Sequence, residues 1–153
     1  WGQCNKNSVN PMTKILSLTT AAIVTLASAT TAISDTVTLT ITTASATGVV
    51  RAAAYASAQA FEKGDIAAAA DRPAQSGTTQ LEIKPPHPGT FGIALFHDVN
   101  GNEKLDTNLL GAPNEPFGFS NNPIIKFSAP KFEEFMFEFD GTPMTLNITL
   151  NGG

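Results

Sequence analysis

The chain has 153 residues, a formal net charge of −4 and a single cysteine, Cys4. This length predicts one domain, and one cysteine excludes an intramolecular disulfide. From residue 33 onward, seven basic residues stand against thirteen acidic ones. The resulting negative charge disfavours binding to the phosphates of nucleic acids or to anionic lipid surfaces.

Residues 12–32 have the layout of a secretory signal peptide. Lys14 precedes an apolar stretch that ends in small residues, an order that is typical of exported precursors. We expect cleavage after Ala32, which leaves a β-sandwich domain over 33–153 in the periplasm or outside the cell. Residues 1–11 precede the expected initiator methionine, and we interpret them as an upstream segment that is not native.

The first part of the mature chain alternates apolar and polar residues, which is typical of half-buried strands. Strands are predicted over 36–43 and 49–55, followed by a short helix or turn over 57–64. Gly64 is a stop signal for such a helix. The segment "DIAAAAD", 65–71, favours a helix by its alanine content and a short strand by its position, so both interpretations stay open.

Two further strands are predicted on either side of a proline-rich break. The first covers 78–84, and "PPHPG", 85–89, ends it because proline cannot donate a ladder hydrogen bond. The second covers 90–97. The side chains expected on their buried faces are Leu81, Ile83, Phe91, Ile93 and Leu95.

The C-terminal part begins with an irregular segment, 109–131, which is rich in Pro, Gly and Asn. Two strands follow, over 132–140 and 144–150, and the turn at Asp140 and Gly141 predicts that they form a hairpin. In total, six to seven short strands with little helix predict an all-β fold. We expect a single antiparallel β-sandwich of the immunoglobulin-like or prealbumin-like kind.

The loop that begins at Asp98 carries Asp and Asn at alternate positions. Asn100 and Asn102 occupy its third and fifth positions, and Asp106 occupies the ninth. Alternate side chains of a tight loop point towards one centre, where calcium takes six to eight oxygen ligands. Lys104, at the seventh position, would contribute its backbone carbonyl. This spacing matches the opening of an EF-hand-like calcium loop.

Two positions depart from that pattern. Glu103 stands where such loops have glycine, and Leu109 stands where they have a bidentate carboxylate. A hairpin loop with Asx turns explains the same residues without a metal. Spacing alone leaves both interpretations open, and two carboxylates in the loop predict a modest calcium dissociation constant of about 10⁻⁴–10⁻³ M.

The sequence gives no reason to expect an enzyme. Ser120 lies in "GFSNN" and not in the G-x-S-x-G pattern of a nucleophile elbow. His97 is the next inward position after Leu95, so we expect it to form a hydrogen bond within the fold. No catalytic residue is therefore assigned.

The loop belongs to a longer motif that resembles a known family. His97 and Asp98 lead into the loop, "G-x-P-x-E-x-x-G-F-S-N-N" follows at 111–122, and "A-P-x-F" follows at 129–132. From about residue 48 to 150, the chain resembles the bacterial exported family catalogued as domain of unknown function 2141. The resemblance implies a β-sandwich without an assigned activity and makes the loop a family feature, which favours calcium.

The resemblance also makes Glu115 a candidate, because the family motif places a carboxylate at this offset after the loop. Glu115 is either a distal ligand or a surface residue that caps the next turn. The predicted calcium ligands are Asp98, Asn100, Asn102, Lys104, Asp106 and Glu115. The alternative is a metal-independent module that binds a protein or a small ligand through Gly111–Asn122. In either case we expect a monomer, with no nucleic acid partner and no membrane insertion of the mature chain.

Overall fold

The computed structural model describes residues 35–126 and 128–152. The predicted signal peptide and upstream segment lie outside the described residues. Within those ranges no helix has the length and apolar character needed to cross a membrane. The elements in chain order are β1 (Val37–Thr43), β2 (Val49–Tyr55), α1 (Ala58–Lys63), β3 (Ala68–Pro73), β4 (Gly77–Ile83), β5 (Gly89–Asp98), β6 (Phe117–Phe119), α2 (Phe132–Phe135), β7 (Met136–Phe139) and β8 (Met144–Thr149).

The strands form two sheets. The first sheet has the order β4-β1-β8, and the second has the order β3-β2-β5-β6, with β7 also paired to β5. All of these pairs are antiparallel except β1 with β8, which is parallel. The predicted all-β, sandwich-like fold is confirmed, with eight strands in the described residues instead of six to seven.

The core is built from the inward positions of both sheets. The alternating residues of β1 and the predicted face of β5 are buried, as period-two spacing requires. Burying a Val, Leu, Ile or Phe side chain stabilises a fold by about 1.5–3 kcal/mol. The largest apolar side chains with almost no exposure include Leu39, Ile41, Ile83, Phe91, Ile93 and Ile148.

The short elements around residues 57–73 follow local rules. The Ser57 side chain accepts a hydrogen bond from the backbone N–H of Ala60 and begins α1, and Gly64 ends it with a left-handed φ of 72°. Of the helix or turn predicted over 57–64, the structure has a helix, α1. The alanine-rich segment forms β3, because its backbone pairs with β2.

The strand predicted over 132–140 is wrong in its first half. Phe132 and Phe135 instead lie on one turn of helix, α2, and both are buried. The backbone N–H of Lys131 donates to a carboxylate oxygen of Glu134 at 2.7 Å, which stabilises the start of this turn. Only Met136–Phe139 continue as a strand.

The predicted C-terminal hairpin is also wrong. β7 pairs with β5 in the second sheet, whereas β8 pairs with β1 in the first. The turn at Asp140, whose carboxylate accepts hydrogen bonds from the Thr142 backbone and hydroxyl, therefore carries the chain from one sheet to the other. Phe139 and Ile148 are both buried in the core between the sheets.

A second apolar cluster covers part of the outer face of the second sheet. This aromatic cluster consists of Phe61, Phe119, Phe132 and Phe135, of which the last three are buried. The ring of Phe135 lies 5.0 Å from those of Phe61 and Phe119. Gly92 of β5 makes room for it, because a Cβ atom there would lie 2.5 Å from the Phe135 ring.

Gly92→Ala is therefore expected to lower the free energy of unfolding by about 1–3 kcal/mol, the usual cost of overpacking. Chemical denaturation measures this. In a Phe135→Leu background, which removes the nearer of the two opposing rings and leaves that of Phe132 at 2.9 Å, the same substitution should cost clearly less. Equal costs in the two backgrounds would contradict the steric account.

Candidate functional site

The candidate site lies at the end of β5, where the strand runs into the loop 98–108, here called the Asx loop. His97 is buried at this end, and its Nε2 lies 2.6 Å from the backbone oxygen of Thr47. The hydrogen bond expected for His97 is thus present. The backbone N–H of His97 donates to Pro116 at 2.7 Å, which holds the end of the following segment against β5.

Asp98 organises the backbone of the Asx loop. Its side chain has no solvent exposure. Its Oδ1 accepts hydrogen bonds from the N–H groups of Gly101 and Asn102, at 2.7 and 3.1 Å. Its Oδ2 accepts from the N–H of Glu103 and from Nε of Arg51, both at 2.9 Å. Four donors therefore surround one carboxylate.

These donors determine the charge state of Asp98. Burial raises the pKa of this carboxyl, but the hydrogen bonds from Arg51 and from three backbone amides together outweigh burial and hold the pKa below its usual value. The Arg51 pKa is raised, first by its hydrogen bond to Asp98. Arg51 also contacts Asp71 at 2.6 Å and Glu103 at 3.5 Å.

Three of the predicted ligands come together at the exposed side of the loop. Nδ2 of Asn100 lies 2.6 Å from Oδ2 of Asp106, and Nδ2 of Asn102 lies 2.9 and 3.0 Å from the two oxygens of Asp106. The two amide oxygens accept hydrogen bonds from the backbone N–H groups of Asn102 and Lys104. The amide nitrogens of Asn100 and Asn102 thus both donate to the Asp106 carboxylate.

Glu115 lies at the base of the loop and is buried, with 5% exposure. Its Oε1 accepts from the N–H of Val99 at 2.9 Å, and its Oε2 accepts from the N–H of Asp106 at 3.3 Å. It therefore ties the two ends of the Asx loop together. The carboxylate at this fixed offset does reach the loop, as the family motif implied, and it is not a surface residue.

The sixth position of the loop is strained. Glu103 adopts a φ of 66°, a left-handed conformation that favours glycine. Glu103 thus has a positive φ at the position where a D-x-N-x-N-G loop has glycine. Holding a non-glycine residue in this region costs on the order of 1 kcal/mol, and the Asp98 carboxylate, which binds the Glu103 N–H, offsets this.

Asn100, Asn102 and Asp106 carry oxygen atoms of the kind that bind hard cations, but both asparagines direct their amide nitrogens at the Asp106 carboxylate. Oxygen ligation of calcium at this centre would require both amide groups to make a half-turn, which gives up the hydrogen bonds from the backbone N–H groups of Asn102 and Lys104 to the amide oxygens. A direct metal bond from Asp98 would likewise require one of its four donors to leave. In the part of the chain that the structure describes, no three His, Cys, Asp or Glu side chains are grouped to hold a metal ion.

Ser120 of the "GFSNN" motif is an internal brace, which sequence reasoning missed. It has no solvent exposure. Its Oγ accepts from the N–H of Ile93 at 3.0 Å and donates to the backbone oxygen of Phe135. This hydroxyl therefore joins β5 to the end of α2.

The two asparagines of this motif are also engaged within the fold. The Asn121 amide donates to the Met136 oxygen at 2.6 Å. The Asn122 side-chain amide donates to the backbone oxygen of Asn147 and accepts from the backbone N–H of Thr149, both at 2.8 Å. Asn122 thereby caps part of the free edge of β8. Both asparagines have positive φ values, 61° and 49°, which asparagine tolerates better than most residues.

Comparison with known proteins supports the resemblance found in the motif. The model of a family described as an uncharacterised protein conserved in bacteria (DUF2141) matches residues 39–147, which confirms that resemblance. No curated protein and no solved structure gives a significant match.

Asp98→Asn is expected to lower the melting temperature at neutral pH by several degrees, because the amide cannot accept from all four donors. The folded-state pKa of Asp98 is depressed, so its contribution to stability is complete above the unfolded value of about 3.9 and is lost as pH falls through the folded value. The difference in melting temperature between wild type and variant should therefore narrow on acidification below about pH 4. A difference in melting temperature that stays constant down to the folded-state pKa of Asp98 would contradict the role of its carboxylate in stability.

Proposed function

The chain belongs to the bacterial family DUF2141, and we propose that it is an exported, non-catalytic β-sandwich module whose Asx loop binds calcium. The observation that supports this function is that the amide groups of Asn100 and Asn102 both lie within 2.6–3.0 Å of the Asp106 carboxylate. They lie on a loop whose backbone is held by hydrogen bonds from three consecutive amides to Asp98.

Several oxygen donors are available around this centre. Asp106 would supply a carboxylate, and Asn100 and Asn102 would supply amide oxygens after their half-turn. Glu115 and the Lys104 carbonyl lie in the same loop region. Calcium prefers oxygen ligands at 2.3–2.6 Å, and with two available carboxylates the expected dissociation constant is about 10⁻⁴–10⁻³ M.

The benefit of a bound cation would be structural. The Asx loop already contacts the following segment: the N–H of Asn114 donates to the backbone oxygen of Asp106 at 2.8 Å, and Thr107 forms an isolated β-bridge with Pro113. Bound calcium would neutralise the carboxylates of the loop and stabilise these contacts. The proposed mature chain has no cysteine, so a metal would be its available cross-link.

The positions of the nucleophilic and basic side chains support a non-catalytic role. Ser120 is buried, and its hydroxyl is held by backbone groups of Ile93 and Phe135. His97 is buried, and its Nε2 is engaged by the backbone oxygen of Thr47. Neither side chain is positioned to attack a substrate.

A second candidate is a small-ligand site in the 111–122 segment. A cleft of about 480 Å³ lies between the Asx loop and this segment, with Asn100, Asp106, Asn114 and Glu115 among its lining residues. This favours a small polar ligand over recognition by Asn121 and Asn122, whose amides bind the fold itself. Under this candidate function the cleft would work without calcium.

Calcium titration of the domain 33–153 by calorimetry, after metal removal, tests the first proposal. We expect saturable binding, and a melting temperature that rises with calcium concentration. Asp106→Asn should weaken binding at least tenfold, because it removes a charged ligand. Asp65→Asn, the same change at an exposed site outside the loop, should leave binding unchanged. Absence of heat and of any melting shift at about 10 mM calcium would contradict the proposal, since that is well above the expected dissociation constant.

The export proposal has its own test. The chain from Met12 onward, with a C-terminal tag, should appear in the periplasm or medium of a bacterial host. N-terminal sequencing of that product should begin at Ile33. Protein that stays in the cytoplasm with its N-terminus intact would contradict export.

A further inference from the structure

The outer face of the second sheet carries small apolar side chains where a solvated face usually carries polar ones. Ala53 of β2 lies directly opposite Ala69 of β3 and Ala94 of β5. These three alanines form a continuous floor across three strands. The aromatic cluster covers only part of this face.

A groove follows this alanine floor. Its lining includes the rings of Tyr55, Phe61, Phe96 and Phe117. Its volume is about 470 Å³, which lies within the range of about 300–1,000 Å³ that small-molecule sites occupy. Its shape and composition therefore suit an apolar ligand of limited size.

One end of the groove is charged. Arg51 lies next to Ala53 on the same face and contacts the carboxylates of Asp71, Asp98 and Glu103. One guanidinium against three carboxylates leaves an excess of negative charge. The side chains of Asp71 and Glu103 are 53% and 76% exposed, so this excess is accessible from the groove.

This charge selects between possible ligands. A ligand anion would have to compete with three carboxylates for Arg51, whereas a ligand cation would meet the excess negative charge of Asp71 and Glu103. The complementary partner is therefore an apolar molecule with a positive group at one end.

We propose that this groove binds a small amphiphilic amine, with its apolar body on the alanine floor and its ammonium group near Asp71 and Glu103. Glu103 and Leu105 belong to the Asx loop and also line the groove. The Asx loop thus has a second role as part of the groove's charged end. This site does not depend on calcium.

The test is a titration of the isotope-labelled domain 33–153 by two-dimensional NMR, in buffer that contains a chelator. The probes are n-octylamine, octanoate and 1-octanol, which share one alkyl chain and differ in the charge of the head group. We expect saturable shifts at the amides of Ala53, Ala69 and Ala94 with octylamine. Its affinity should be at least tenfold higher than that of octanoate.

Two kinds of variant locate the site. Ala53→Leu fills the floor and should weaken octylamine binding at least tenfold. Ala69→Leu, at an exposed strand position, should have the same effect if the first variant is unstable. Ala46→Leu, at an exposed position between β1 and β2, is the matched control and should leave binding unchanged. The double variant Asp71→Asn, Glu103→Gln should reduce the preference for amine over carboxylate.

Several results would overturn the proposal. Octanoate binding as tightly as octylamine would exclude a site for cations. Amide chemical-shift changes that lie outside the groove would exclude the groove as the binding site. So would an octylamine affinity that neither Ala53→Leu nor Ala69→Leu changes. Absence of saturable binding by all three probes would exclude a small-molecule site of this kind. Because calcium is chelated throughout, none of these results bears on the calcium proposal.

Discussion

The conformation of the Asx loop and the charged end of the groove both depend on the buried carboxylate of Asp98 and its hydrogen bonds. A charged group without solvent exposure is costly unless it is fully hydrogen-bonded, and Asp98 meets this requirement with three backbone amides and Arg51. Those amides belong to consecutive residues, so satisfying the charge also fixes the path of the loop. Asn100, Asn102 and Asp106 then converge as a consequence of that path.

Arg51 links the buried carboxylate of Asp98 to the outer face of the second sheet. Its Nε binds Asp98, while its terminal nitrogens reach Asp71 and Glu103. The backbone of the Asx loop and the charged end of the groove therefore share one guanidinium. A change in the loop that moves Glu103 would alter the charge presented to a ligand in the groove, although each site can bind without the other.

Local signals predicted the parts of the fold that local forces determine. Period-two alternation located β1 and β5, and Gly64 marked the end of α1. Partner choice is non-local: the alternation of residues 144–150 suits a hairpin as well as the parallel pairing with β1 that the structure shows. Phe132 and Phe135 fit a strand by composition. They instead lie one helical turn apart, which places both rings in the aromatic cluster. The groove escaped prediction because its alanines become neighbours only once three strands are paired.

The most direct test of the calcium account is a crystal structure of the domain 33–153 grown with calcium, with anomalous diffraction data. If the Asx loop binds calcium, an anomalous peak should lie beside Asp106, within about 2.3–2.6 Å of its carboxylate. The amide oxygens of Asn100 and Asn102 should face that peak, while Asp98 keeps its backbone donors. Asparagine N–H groups still directed at Asp106, with no anomalous peak, would contradict it.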